Sequence, residues 1–164
     1  TRPHSRITAS EWIYENIPIW TVVTGASVAT SQDFGLTGKS STIYKYEGLS
    51  FFSPDSPGKW EKLDQQLKKT DYLVFSSNRF WGPISRLTWK YPIASEFYRK
   101  LFAGELNFKK MAEFTSYPCF PPIDKPLFCL PDQSADESFT VYDHPKVIIF
   151  EKKTSPIFDH TFGE

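Results

Sequence analysis

An excess of charge of either sign is what this 164-residue chain most clearly lacks, since 19 Lys and Arg cancel 19 Asp and Glu. Phosphate affinity needs a surplus of Lys and Arg on one face, so no general case for binding nucleic acid can be made. Long apolar runs are missing as well. Crossing a bilayer takes about 18 apolar residues or more, and Val147-Ile148-Ile149-Phe150 is strand-sized. Cysteine is limited to Cys119 and Cys129. Two thiols without paired His or Cys cannot complete a tetrahedral zinc site, so no metal is expected. A disulfide between them is geometrically possible, and two unrelated thiols are the alternative. No nucleophile elbow, HExxH or paired-cysteine motif occurs, which leaves the chain poorly equipped as a self-contained enzyme. Neither a leading Met nor a signal-peptide pattern precedes Thr1, as expected of a processed chain or a domain cut from a longer one.

What is present describes a globular protein: 40% apolar residues and 17% aromatics. A chain this long buries roughly 70% of its unfolded surface and needs no metal or disulfide scaffold. Thr8 and Glu11 form a capping-box pattern ahead of Ala9, Trp12, Ile13 and Ile17 at helical spacing, and Pro18 ends that helix. Thr21-Val22-Val23-Thr24 reads as a β-branched strand stopped at Gly25, followed by a long polar loop to Ser41. Thr42 to Glu47 alternates in the strand manner, and Leu49 to Phe52 extends it or starts another. After turn chemistry at residues 53–58, Trp60, Leu63 and Leu67 mark an amphipathic helix. Asp71 to Ser77 is apolar enough to be the central strand. Ser95 is the expected cap of a helix whose Phe97, Tyr98, Leu101 and Phe102 face inward before Gly104. Met111 to Ser116 reads as a strand. Ser138 to Tyr142 and Val147 to Lys152 flank Asp143-His144-Pro145-Lys146 as an antiparallel hairpin. The expected fold is one α/β domain over residues 5–153, a mixed-sheet sandwich with a Rossmann-like core and a C-terminal hairpin, and a loose tail at 154–164.

Three places carry candidate chemistry. Gly35-Leu36-Thr37-Gly38-Lys39-Ser40 imitates a phosphate loop, but the position that requires its first glycine holds Asp33, which argues against nucleotide there. Ser76, Ser77, Asn78 and Arg79 lie beyond the carboxyl end of the central strand, where open α/β sheets bind ligands, and could hold a phosphate or a sugar. Trp81, beside Phe80, Trp89 and Tyr91 and among Arg79, Arg86 and Lys90, could stack on a sugar ring, rest on a membrane surface or simply pack. Asp143 and His144 make either an acid–base pair or an ordinary turn. No cofactor is expected.

Five phrases occur in an order that adds to this reading. They are Arg2-Pro3-His4-Ser5-Arg6, Ala9 to Pro18, Asp71 to Arg79, Phe97 to Leu106 and Tyr142 to Val147. Together they resemble the soluble tail of polytopic, glycosyltransferase-like membrane proteins: the dolichyl-phosphate-mannose mannosyltransferase-like group and the related YYY-type membrane proteins. The resemblance runs from Arg2 to about Lys152. It implies a non-catalytic domain on the extracytoplasmic face of the membrane, joined to a membrane-spanning part that holds the catalytic acid, and either bracing that part or binding an acceptor or a lipid-linked sugar. No catalytic residue carries over. The chain departs from the pattern at Pro18-Ile19-Trp20, where a Pro-Gly-Ser turn is usual, and in the Cys119 to Pro131 loop, which has no counterpart. Two other readings compete: a small stand-alone α/β enzyme or nucleotide or sugar-phosphate binder using Ser76 to Arg79 with Asp143 and His144, and a carbohydrate-binding module resting on aromatic content.

Overall fold

Two apolar runs form the centre of the molecule. Strand β3 (Tyr72–Phe75) and strand β7 (Val147–Lys152) pair antiparallel, with Leu73 opposite Phe150 and Phe75 opposite Ile148. Their side chains alternate between two separate cores. Leu73, Phe75, Ile148 and Phe150 belong to one, and Tyr72, Val74, Val147 and Ile149 to the other. A sheet covered on both faces explains why neither strand shows polar alternation. A computed structural model describes residues 3–25, 41–120, 127–131 and 144–153.

The sheet has five strands in the order β2-β1-β3-β7-β4, with β1 at Val22–Gly25, β2 at Lys45–Gly48 and β4 at Phe108–Phe114. Strands β2, β1 and β3 are mutually parallel, and β7 is antiparallel to both of its neighbours. The fold is therefore mixed α/β. One face is covered by helix α1 (Ser5–Asn16) through Ala9, Ile13 and the following Ile17. The other carries α2 (Pro57–Lys69), α3 (Gly82–Arg86) and α4 (Pro92–Ala103) through Leu63, Ile84, Ala94, Tyr98 and Leu101. A two-stranded arm, β5 (Cys119–Phe120) with β6 (Phe128–Cys129), stands apart from the main sheet.

Several expected boundaries move. Helix α1 starts at Ser5 with His4 as its N-cap, so Thr8 lies inside the first turns and caps nothing. Its carboxyl end is met by the Tyr44 hydroxyl, 3.2 Å from the carbonyls of both Ile13 and Ile17. Ser95 is likewise inside α4, donating to the Pro92 carbonyl, because Pro92 opens that helix. Gly104 closes it in the left-handed region at φ 74, which glycine adopts without a Cβ clash. Leu49 to Phe52 is not a strand; Leu49 and Phe51 drop into the core instead. Strand β4 begins three residues earlier than Met111. The last residues of the sheet reach the helix ends: Lys152 donates to the Lys68 carbonyl, and Lys153 donates to Gly104 and Leu106 at 2.9 and 2.8 Å. Two ammonium groups thus meet the negative ends of α2 and α4. The expected hairpin strand Ser138–Tyr142, the phosphate-loop imitation at 35–40 and the tail at 154–164 lie outside the described residues.

Tyr98 is fully buried, and its hydroxyl has no hydrogen-bond partner among the described residues. Burial pushes its phenol well above the usual value, so it stays neutral. An unsatisfied buried hydroxyl costs about 1–3 kcal/mol. Tyr98→Phe should therefore raise stability by about 1 kcal/mol or more in chemical denaturation. A loss of stability would show that a bound water satisfies the hydroxyl.

Candidate functional site

Strand order dictates where a site can form. From β1 the chain moves to one side to make β2, then returns through α2 to make β3 on the other side of β1. The connections diverge between β1 and β3, and in open α/β sheets such a divergence leaves a crevice at the carboxyl ends of the strands. Ser76 to Arg79 follows β3 at that edge, as a bend and a 3-10 turn over Asn78–Phe80. Because β7 runs antiparallel and its Ile148 faces Phe75, the segment entering β7 at His144 and Pro145 lies on the same edge.

Helix α1 completes the edge from the second face. The Ser5 hydroxyl donates to the Pro145 carbonyl at 2.5 Å, and Arg6 Nε donates to the Ser76 carbonyl at 3.3 Å. His4 Nδ1 accepts the Arg6 amide at 3.3 Å. The first turn of α1 contains no acidic residue, so its amino end keeps its partial positive charge. His4, Arg6, Ser76, Arg79 and His144 thus come from three separate stretches of chain to one edge. Ser76 and Ser77 are buried there at 3% and 2% exposure, Asn78 is half-buried with no partner for its Oδ1 among the described residues, and Arg79 is exposed. The edge thus gathers guanidinium, imidazole, hydroxyl and amide groups, the chemistry that can meet an anionic, oxygen-rich ligand, and His4, Arg6, Ser76, Arg79 and His144 each also hold interactions within the protein.

Trp81 does not join this edge. Its indole packs edge-on against Phe102 of α4, with ring centroids 5.3 Å apart, and its buried Nε1 has no partner among the described residues. It lines a groove of about 620 Å³ with Ser85, Thr88, Pro92, Ser95 and Phe102, rimmed by Glu96 and Arg99. The Arg99 guanidinium, hydrogen-bonded to Glu96 at 2.8 Å, holds that carboxyl down to about 2 and also meets Glu105 at 3.1 Å. These charges therefore serve one another. Trp81, Trp89 and Tyr91 form no flat exposed row: Trp89 is 80% exposed, while the other two are half-buried against the α4 core.

A second cleft, of about 440 Å³, lies at the opposite edge between Asp71, Tyr72, Asn107 and Glu151. There Asp71 accepts the Val22 amide at 2.8 Å. The Tyr72 hydroxyl donates to Glu151 at 2.8 Å, and burial first, then that carboxylate, pushes the phenol up to about 12. Its lysines, Lys152 and Lys153, already serve the helix ends. Among the described residues no three His, Cys, Asp or Glu side chains converge as metal ligands.

Of the residues singled out from sequence, Ser76, Ser77, Asn78, Arg79 and His144 share one edge, Trp81 faces the groove beyond it, and Asp143 lies outside the described residues. His4 and Arg6 were missed. Their neighbours are 140 and 70 residues away along the chain, as Ser5–Pro145 and Arg6–Ser76, so no local spacing could have found them. Cys119 and Cys129 form a disulfide across β5 and β6. Comparison with protein-family models, curated proteins and solved structures finds no match.

Proposed function

We propose that this chain is a non-catalytic accessory domain of a membrane-embedded, glycosyltransferase-like protein, and that its carboxyl edge binds the phosphate-bearing end of a phosphate-linked sugar. The observation that carries the ligand class is the meeting of His4, Arg6, Arg79 and His144 with the buried Ser76 and Ser77 at the β1/β3 divergence. Parallel β2-β1-β3 also supports a Rossmann-like reading of that half of the sheet. The Cys119–Cys129 disulfide supports an oxidising, extracytoplasmic setting. The order of the sequence phrases supports the membrane-protein parent.

Titration of the isotope-labelled chain with a hexose 1-phosphate tests the ligand. Amide shifts should concentrate at residues 4–6, 76–79 and 144, and the unphosphorylated hexose should bind much more weakly. Replacing Arg6 and Arg79 by glutamine should each weaken binding about tenfold, the worth of one charge-assisted hydrogen bond. Shifts confined to the groove of Trp81 and Phe102 would favour a neutral-sugar module instead. Turnover of a lipid-linked sugar by the purified chain would overturn the non-catalytic assignment.

A further inference from the structure

Trp89 is the most exposed tryptophan among the described residues, at 80%. It stands on the turn between α3 and α4, which follows the Ser76 to Phe80 segment at the carboxyl edge of the sheet. The amides of Lys90 and Tyr91 both donate to the Leu87 carbonyl, at 3.0 and 2.8 Å, so the backbone that carries the indole is a closed turn. Ile93, the second residue of α4, is 48% exposed. Withdrawing an indole from water is favourable. Trp81, eight residues earlier, does so against Phe102, and Trp89 does not.

Charge along this stretch has one sign. No Asp or Glu occurs between Asp71 and Glu96, whereas Arg86 and Lys90 flank Trp89. Arg86 has no partner among the described residues, and Lys90 lies over the Tyr91 ring, 5.4 Å from its centre, instead of meeting a carboxylate. The acids on the adjoining segments are already compensated: Asp55 by Lys59 at 3.0 Å, and Glu96 by Arg99 at 2.8 Å and Lys100 at 3.5 Å. Trp20 provides the contrast. It is 67% exposed at the opposite edge, next to Thr21 and the cleft lined by Asp71 and Glu151, carboxylates that repel an anionic surface. Indoles favour the boundary between water and acyl chains, and each Lys or Arg near that boundary adds attraction to anionic headgroups. A protein partner fits less well. Trp89 and Ile93 together expose on the order of 300 Å², less than half of the roughly 800 Å² that each side of a stable interface buries. Lysine is also depleted from such interfaces.

We propose that the turn between α3 and α4 docks onto an anionic phospholipid surface, with the Trp89 indole in the headgroup layer and Arg86 and Lys90 against the phosphates. It stands on residues outside the phosphate-linked sugar site and needs neither that ligand nor a membrane-spanning parent. Flotation of the chain with vesicles of phosphatidylcholine mixed with phosphatidylglycerol tests it, beside vesicles of phosphatidylcholine alone. The chain should float with the mixed vesicles and at least about tenfold less with the neutral ones. Trp89→Ser should lower partitioning into the mixed vesicles at least about tenfold, from the apolar area left in water. Arg86→Gln and Lys90→Gln should each lower it about fivefold, the worth of one cation near an anionic surface. Trp20→Ser should leave it unchanged. All four side chains are exposed, so these changes spare the core. No flotation of the wild type, equal flotation of wild type and Trp89→Ser, or an equal loss with Trp20→Ser would overturn the proposal. A dimer in sedimentation that Trp89→Ser dissolves, without vesicle binding, would overturn it in favour of a second copy of the chain. Flotation with the expected variant pattern, by a chain that fails to bind hexose 1-phosphate, would retain the turn as a lipid contact and reject the sugar site. Binding of that ligand without flotation would do the reverse.

Discussion

Asp55→Ala is expected to destabilise the fold by about 3–5 kcal/mol, the range for removing one partner of a buried ion pair. Asp55 and Lys59 are each only 6% exposed at the side chain and lie 3.0 Å apart. One carboxylate oxygen also accepts the Trp60 indole N–H at 3.0 Å, and the other accepts the amides of Ile93 and Ala94 at 2.8 and 3.1 Å. A turn residue thus caps a helix almost forty positions further along the chain and anchors the start of α2 to the start of α4. Alanine would leave those amides unpaired and the ammonium of Lys59 with only the Phe51 and Ser53 carbonyls. Asn keeps one acceptor and should cost less than Ala.

The pH dependence of this node has a definite sign. Burial alone would raise the Asp55 carboxyl, but hydrogen bonds from Ala94, Lys59, Trp60 and Ile93 outweigh it and hold the group below its ordinary value. A folded-state value below the unfolded one, near 3.9, contributes stability that is fully present above that pH. It is lost as pH falls through the folded value. Chemical denaturation from pH 7 down to pH 2 should therefore show a steeper acid loss in wild type than in Asp55→Asn. Equal slopes, or a cost for Asp55→Ala below about 1 kcal/mol, would mean that solvent reaches the carboxylate freely.

What could be read from sequence was whatever is encoded within one or two turns of chain. The apolar runs at Leu73 and Ile149 announced buried strands, and the spacing of Trp60, Leu63 and Leu67 announced a helix. Local rules failed where the controlling group is distant. Thr8 and Ser95 looked like caps because each precedes an apolar face, but His4 and Asp55 hold those positions. The same holds for the candidate site. Ser76 to Arg79 was legible as the loop after a central strand, whereas Arg6 reaches it only because α1 packs across the sheet. Trp81 shares the loop by sequence, yet its indole turns to Phe102 on the other face. Lys152 and Lys153 gave no signal at all, since their acceptors are helix carbonyls that become neighbours only once the sheet is built.

Phe51→Ala should be as damaging as the loss of Asp55, costing about 3–5 kcal/mol. Phe51 belongs to no strand or helix, yet it is fully buried, with the rings of Trp60, Phe75, Phe97 and Tyr98 at 6.5, 6.4, 5.4 and 5.2 Å. It joins α2, β3 and α4 at a single point, and a cavity there cannot be closed by shifting one element alone. Phe52, the next residue, is 48% exposed and touches Phe80, so Phe52→Ala should cost about 1 kcal/mol. Denaturation of the two variants side by side is decisive: equal losses would mean that the 49–52 segment is not seated beneath α4. Lys59 links this residue to the other node, bonding the Phe51 carbonyl at 3.0 Å and Asp55 at the same distance. The double variant should therefore lose less than the sum of the two single losses, because either change already releases the 51–60 turn from α4.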